Sequence, residues 1–527
     1  MHGVDSKALG VAVWAVAMGC RPAGVPAEAG LQVLEVGAVD TIGGVRRLVA
    51  EGDGPSRLVV WHDDGEQVRS TVVEGQAEVH DVLFVGFAPG EHTVWGQLVH
   101  SDGRVSTTPR VAFEQLGLPG LQVEVLAHEP ERSGDGWLLG PLTVVGAEEP
   151  TYLVMLDEAL RPVWWTRPEP SPAEVQLDGH HVVGSGGGGL VRTDLLGGIV
   201  SRVQPELGSS HHDVVPQPDG SYWTLVERRA TVDAYPVDYD RLEPFAPAEL
   251  RDSYVAHVAA DGSTLASVAL ADLLDTQKIG WNSLDFLPKE QWFDWNHANG
   301  LALDPRDGSP VVTLRHLDAV VKLTPDLQLD WILGPHEGWR APWSEALLQA
   351  GDDVVWPLHP HAPEVLADGT VLVFDNHNEG HTPYTEPPSE RPTSRAVAFR
   401  IVDSADGRRA EQLWEVDTTA TGPLYCGAVG DVDVDDAGRV LVDYGFVHFE
   451  REVALEELGL GHRAVRWVEA LPGDDEPVLD VRLASDPAVW PDGVFSYRVQ
   501  RVPSRYGVVP WSSLGAIELS QADEARR

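Results

Sequence analysis

Cysteine is nearly absent. The chain has two in 527 residues, Cys20 and Cys426, so no disulfide scaffold holds it together. Basic residues are also scarce: 38 Lys and Arg stand against 82 Asp and Glu, a formal net charge of −44, and lysine occurs only at Lys7, Lys278, Lys289 and Lys322. That balance excludes nucleic acid as a partner, because phosphate contacts need a basic surface, and it excludes an anionic membrane surface for the same reason. After residue 20 no apolar run is long enough to cross a bilayer. What is plentiful points to β structure. The chain is 43% hydrophobic, enough for large cores, and its 53 glycines and 39 prolines are too many for a helical bundle.

The first residues read as an export signal. Ala8 to Gly19 is an apolar run of twelve residues behind Lys7, too short to span and suited to a signal h-region. Met18-Gly19-Cys20 resembles the cleavage site of a bacterial lipoprotein, with Ala17 as a departure from its usual leucine. Residues 1–20 are therefore expected to be a leader, with Cys20 lipidated and the protein exported to the periplasm or cell envelope. A lipid on Cys20 would be its sole membrane contact. Cys426 would then be the last free thiol, buried and inert.

Residues 21–30 are small and Pro/Gly-rich, as a tether would be. From 31 to 118 short segments alternate apolar and polar residues, the period of half-buried strands, and a small β-sandwich follows. Within it, Phe84-Val85-Gly86-Phe87-Ala88-Pro89-Gly90-Glu91-His92-Thr93-Val94 resembles a strand–turn–strand of fibronectin type III domains. From 119 to 520 strand pairs recur around turns of the Asp-Gly type, at Gly220, Gly262, Gly308, Gly369 and Gly438, spaced 42, 46, 61 and 69 residues apart. Four strands per unit of about 40–50 residues is the signature of a β-propeller. The long gaps hold two insertions, a Trp-rich stretch around Trp339–Ala350 expected to be helical and a Pro-rich loop, His381–Ser394. Both are expected to wall a site on one face.

Histidines sit at the starts of these units. His212 lies eight residues before Gly220, His297 eleven before Gly308, and His361 eight before Gly369. Equivalent positions on successive blades converge on the central channel, so these three and Arg315 are expected to face one point although 149 residues separate His212 from His361. Such a cluster serves either metal binding, for which neutral imidazoles are suited, or covalent chemistry with an imidazole nucleophile. Arg315 favours the second, because a guanidinium is repelled by a metal ion and pairs with sulfate or phosphate oxygens.

Asp294–Leu301 (DWNHANGL), Arg315-His316-Leu317-Asp318-Ala319-Val320-Val321-Lys322, Trp331-Ile332-Leu333-Gly334 and Val371–Asn376 (VLVFDN) resemble the bacterial arylsulfate sulfotransferase family, as do Tyr497–Arg501 and Ser504–Gly507. The resemblance spans roughly residues 135–515. It implies an all-β fold, a six-bladed β-propeller behind a smaller β domain. It also implies transfer of a sulfuryl group from a small-molecule aryl sulfate donor to a phenol acceptor, with neither a nucleotide sulfate donor nor any metal or other cofactor. Residue by residue, His361 matches the histidine that is transiently sulfurylated, and His212, His297 and Arg315 match the groups that hold the sulfuryl oxygens and handle protons. Asn299, Trp295 and Tyr425 are the expected substrate contacts. The segment 340–358 lacks the family's cysteines, and the small domain need not dimerise, so a homodimer stays open.

Two other readings stand beside this one, a ligand- or protein-binding propeller without chemistry and a metal-dependent hydrolase or lactonase. Asp375, His377 and His381 form a conceivable metal set. Asp431–Gly438 resembles a calcium loop but lacks the closing glutamate, and reads as a solvated blade turn. Gly184–Gly189 lacks the lysine and helix of a phosphate loop and reads as another turn.

Overall fold

The computed structural model describes residues 29–509, apart from 38–40, 147–149, 171, 173, 179–180, 240–244, 390–391, 405–406, 419–423, 451–452 and 475. The expected leader, with Cys20, lies outside the described residues, as does most of the tether. Among the described residues the fold is all-β, with one four-residue α-helix, Leu270–Leu273, and a few 3-10 turns.

The N-terminal segment builds one eight-stranded sheet. Its organiser is Val45–Asp63, a 19-residue strand. Its first part pairs with Ala77–Val85 and its last part with Gly90–His100, with a register break between Glu51 and Ser56. Gly54, at φ +154°, lies in that break, where the missing Cβ lets the strand bend. The sheet can therefore enclose its own core of Leu48, Leu58, Val60, Phe84, Phe87, Val94 and Leu98 while remaining continuous. The chain's other end joins it, since Gly507–Val509 pairs with Ala77–Val85. Val45 and Val85 also pack with Trp137, Trp164 and Leu153 of the next sheet, so a shared apolar core fastens the two parts.

Six further sheets follow in chain order. Gln500–Val502 and Val494–Phe495 pair with Trp137–Val144 in the first, and Leu121–His128 pairs with Leu479–Ser485 in the last. Each end of this region thus completes the sheet built by the other. One strand from each of five successive sheets packs beside the next: His181–Gly186 on Ser209–Pro216, then Ala298–Leu303, Pro360–Val365 and Asp431–Val434.

The Asp-Gly turns form as their chemistry dictates. Gly220, Gly262, Gly308, Gly369 and Gly438 all have φ between +75° and +91°. In four of them the preceding Asp accepts the backbone N–H two residues on, at Asp219, Asp261, Asp307 and Asp368; in the fifth Asp435 does so. Gly262 departs from the expected spacing. It joins the third and fourth strands of the sheet whose first turn holds Gly220, so the interval of 42 lies within one unit. Gly187 and Gly188 turn Gly184–Gly189 as a hairpin, as expected.

The Trp-rich insertion is less helical than expected, a single 3-10 turn over Trp343–Ala346 and a short strand Gln349–Ala350. Side chains rather than helix hold it: the Trp343 indole N–H donates to the Leu273 carbonyl, and Arg340 pairs with Asp275. The described residues of 381–394 form a loop, and the Trp281 indole N–H fastens it through the His381 carbonyl.

Candidate active site

Three of the expected residues stand at the same place in three neighbouring sheets. His212 lies in Ser209–Pro216, His297 directly precedes Ala298–Leu303, and His361 lies in Pro360–Val365. Each first strand carries an irregular register there, between His211 and Val214, Ala298 and Gly300, and His361 and Glu364. His212, His297 and Ala362 have φ of +52°, +41° and +43°, a conformation costly for residues with a Cβ. These bulges swing the imidazoles out of the normal in–out alternation. The rings of His212 and His297 are 5.4 Å apart, and His297 stands 4.5 Å from His316. Arg315 opens the 3-10 turn Arg315–Leu317 and acts electrostatically on both His297 and His361.

The partners of these groups set their chemistry. His212 presents Nδ1 to Glu174 at 2.5 Å, and His297 presents Nδ1 to Asp294 at 2.6 Å. His361 presents Nδ1 to the Asn376 side-chain oxygen instead. The orientation of that amide is determined, because its nitrogen donates to the carbonyls of Cys426 (2.7 Å) and Val429 (2.8 Å). Its oxygen therefore accepts, His361 Nδ1 carries the hydrogen, and the lone pair of the neutral ring lies on Nε2. The same logic applies to Arg315. Its Nη1 donates to His316 Nε2 at 2.6 Å, so His316 is neutral and gives its Nδ1 hydrogen to the Asp294 carbonyl at 2.6 Å.

Burial, reinforced by Arg315 and then His212, holds His361 well below the usual imidazole range. Burial, Arg251, His212 and Arg315 do the same for His297. Arg315 is itself lowered by burial, against the opposing charge of Asp294. Burial and the Arg315 charge thus keep His361 and His297 in their neutral forms.

The expected substrate contacts fare differently. Trp295 is fully buried, its indole N–H donated to the Lys278 carbonyl at 3.0 Å, so it belongs to the core and has no face for a substrate. Asn299 is also buried, donating to the Pro360 carbonyl at 3.1 Å and accepting from Thr313 at 2.7 Å, and it braces two first strands. Tyr425 is half-buried and near enough to Arg315 to act on its charge. Cys426 is buried, with its thiol pushed up to about 12 by desolvation and then by Asp443. Sequence reasoning passed over Glu174, Asp294, His316 and Asn376 as functional groups. Three of them lie inside quoted motifs; Glu174, 38 residues before His212, carried no signal.

The metal sets do not fit. Asp375 already accepts from the Leu358 and His377 backbone N–H groups, from the His377 ring and from Arg395, while His381 is turned to the Glu379 carbonyl. Among the described residues one other group, Asp294, His297 and His316, is close enough to hold an ion. His297 Nδ1 is engaged with the Asp294 carboxylate, and both nitrogens of His316 are taken, one by the Asp294 backbone carbonyl and one by the Arg315 guanidinium. Asp431 and Asp433, expected in a solvated turn, instead line a cavity of about 220 Å³ with Glu364 and Arg498 below the histidines; only the turn at Asp435–Gly438 faces outward.

The model of the arylsulfotransferase (ASST) family matches residues 131–490. The chain belongs to the arylsulfotransferase family. The arylsulfate sulfotransferase AssT of Escherichia coli O6:H1 (strain CFT073) is 30% identical over 139 residues, 23% of each chain. That of Lelliottia amnigena is 28% identical over 139 residues, again 23% of each. The alignment thus spans about a quarter of the length of these relatives. Among solved structures, a gluconolactonase from Xanthomonas campestris shares 12% identity at a TM-score of 0.29, over 69% of this chain and 89% of that chain.

Proposed function

We propose that the chain is an aryl-sulfate sulfotransferase that moves a sulfuryl group from a phenolic sulfate ester to a phenol by way of a sulfohistidine on His361. Family membership supports the reaction class. The observation that carries the mechanism is the Asn376–His361 contact, which leaves a neutral imidazole with its lone pair on Nε2 beside Arg315.

A sulfate monoester spreads negative charge over three oxygens. Arg315 and the Nε2 hydrogen of His212 would bind those oxygens by hydrogen bonds, compensating the charge as the aryl oxygen departs, while neutral His297, its hydrogen given to Asp294, keeps a lone pair on Nε2 to accept a proton. His361 Nε2 attacks sulfur, forming the N–S bond while the S–O bond to the aryl group breaks. A second phenol, deprotonated at a neighbouring imidazole, takes the group back and restores the His361 lone pair.

The same reading takes the six sheets as six blades of a propeller over 119–520, supported by their order and the exchange of strands between first and last. It takes 31–118 as a fibronectin-like domain behind a tether at 21–30. It takes Cys20 as a lipid anchor at the cell envelope.

The test is incubation with 4-nitrophenyl sulfate, with and without phenol and chelator. Expected are ping-pong kinetics, indifference to chelator, and a sulfo group on His361 by mass spectrometry. Near wild-type transfer by His361→Ala overturns the mechanism, and chelator-sensitive hydrolysis favours a metallohydrolase.

A further inference from the structure

A two-step exchange of this kind has a proton ledger. Departure of the aryl oxygen consumes one proton, and attack by the next phenol returns it. The two events are separate, so the protein must hold that proton while the site waits for a donor. Burial makes His361, His297 and His316 poor holders, since each is pushed well below its ordinary value. Arg315 does not release protons.

One pair beside the site is different. Glu174 is 4% exposed and lies 2.5 Å from His212 Nδ1. Burial raises the Glu174 carboxyl, the His212 ring opposes that, Asp213 adds to it, and Arg498 opposes it. Arg498 is itself committed to Asp213 at 2.9 Å, with Asp431 3.6 Å away. The His212 ring also stands 5.4 Å from that of His297 and 6.1 Å from that of Tyr497.

Resting on the sulfuryl-transfer reading above, we propose that the Glu174–His212 pair is the proton store of the reaction, with His212 as the group that exchanges the proton and Glu174 as the positioning residue that lets it do so. The pair holds one proton more than a carboxylate and a neutral ring. Whether that proton rests on the carboxyl or on Nδ1, His212 Nε2 keeps its hydrogen and offers it to the aryl oxygen. After His361 Nε2 bonds to sulfur and the S–O bond breaks, the phenolate takes the Nε2 hydrogen. The pair is left as Glu174 carboxylate and a ring protonated at Nδ1. The acceptor phenol then returns its proton to Nε2 as its oxygen attacks sulfur and the N–S bond breaks. Charge and protons balance with no further reactant.

Glu174 therefore matters in proportion to how badly the leaving group needs a proton. The test measures the single-turnover release of phenols of graded acidity, from 4-nitrophenyl sulfate to phenyl sulfate, in wild type and in Glu174→Gln, which keeps the shape but cannot carry a proton. Expected is a loss of about 10²-fold or more with phenyl sulfate, the usual contribution of a general acid, and only a few-fold loss with 4-nitrophenyl sulfate. Equal losses across the series assign Glu174 a structural role and overturn the proposal. A second readout needs no variant: wild type should show a solvent deuterium isotope effect with phenyl sulfate and little with 4-nitrophenyl sulfate, and its absence with phenyl sulfate overturns the proposal too. Detection of sulfo-His361 in the same samples separates this outcome from failure of the sulfuryl-transfer reading, which predicts that adduct whether or not Glu174 is the store.

Discussion

Asn376 accepts the Nδ1 hydrogen of His361 while its own two amide hydrogens go to the carbonyls of Cys426 and Val429. This one contact distinguishes His361 from His212 and His297, which lean on the carboxylates of Glu174 and Asp294. The amide contact favours the protonated ring only weakly, and burial and Arg315 outweigh it; a carboxylate at the same place would add a full opposing charge.

Replacing that amide by a carboxylate should turn the nucleophile into an acid. In wild type, burial and Arg315 hold His361 well below 6.5, so the rate should stay flat as pH falls from neutrality. Asn376→Asp places a negative charge at Nδ1 and should raise the His361 value by about 1–3 units. The acid limb of kcat/KM then moves up toward neutrality, with activity recovering at alkaline pH. A profile that keeps its shape contradicts the assignment.

Arg315 should tolerate no conservative replacement. Its Nη1 is taken by His316 at 2.6 Å and its Nη2 points to the Gly427 carbonyl at 3.4 Å, so the planar fork is aimed by two neighbours. A lysine carries the charge but cannot keep that geometry. Arg315→Lys should lose about 10²–10³-fold in kcat, as expected for a displaced oxyanion partner, and Arg315→Ala nearly all activity. Steady-state kinetics at saturating donor checks both.

Glu364 faces the cavity below the site, and burial, followed by the charge of Asp431, pushes it up to about 7. A carboxyl raised in the folded state favours folding while it is protonated, and that contribution is lost as pH rises through the raised value. Glu364→Gln should therefore change thermal stability little near about pH 5 and raise it relative to wild type near about pH 8.5. Melting curves at the two pH values decide this, and a pH-independent difference contradicts it.

Trp295 should matter for the fold and not for the substrate. It is fully buried, and its N–H satisfies the Lys278 carbonyl. Trp295→Phe removes that hydrogen bond and some packing, which should cost at least about 1–3 kcal/mol while leaving KM for aryl sulfates unchanged. A raised KM at unchanged stability would return Trp295 to the substrate.

The sequence alone determined the β character of the chain, the turns at Gly220, Gly308, Gly369 and Gly438, and the histidines at matched offsets before three of them. These are local properties: alternation dictates strands, and Asp-Gly dictates hairpins. Locality also explains the errors. Gly262 has the same turn chemistry as Gly220 but closes a different pair of strands, and no local pattern separates the two. Trp295 sits within a functional motif two residues before His297, yet its side chain points into the core.

Only the tertiary structure decided what each histidine is able to do. The bulges at His211–Val214, Ala298–Gly300 and His361–Glu364 arise from pairing between strands, and they bring the rings together. The partner of each Nδ1 arrives from 38 residues away for His212, 3 for His297 and 15 for His361. The tautomer and charge of an imidazole depend on its hydrogen-bond partner and its burial. Both come into existence only when the sheets pack, so the sequence could name the three histidines but not assign their roles.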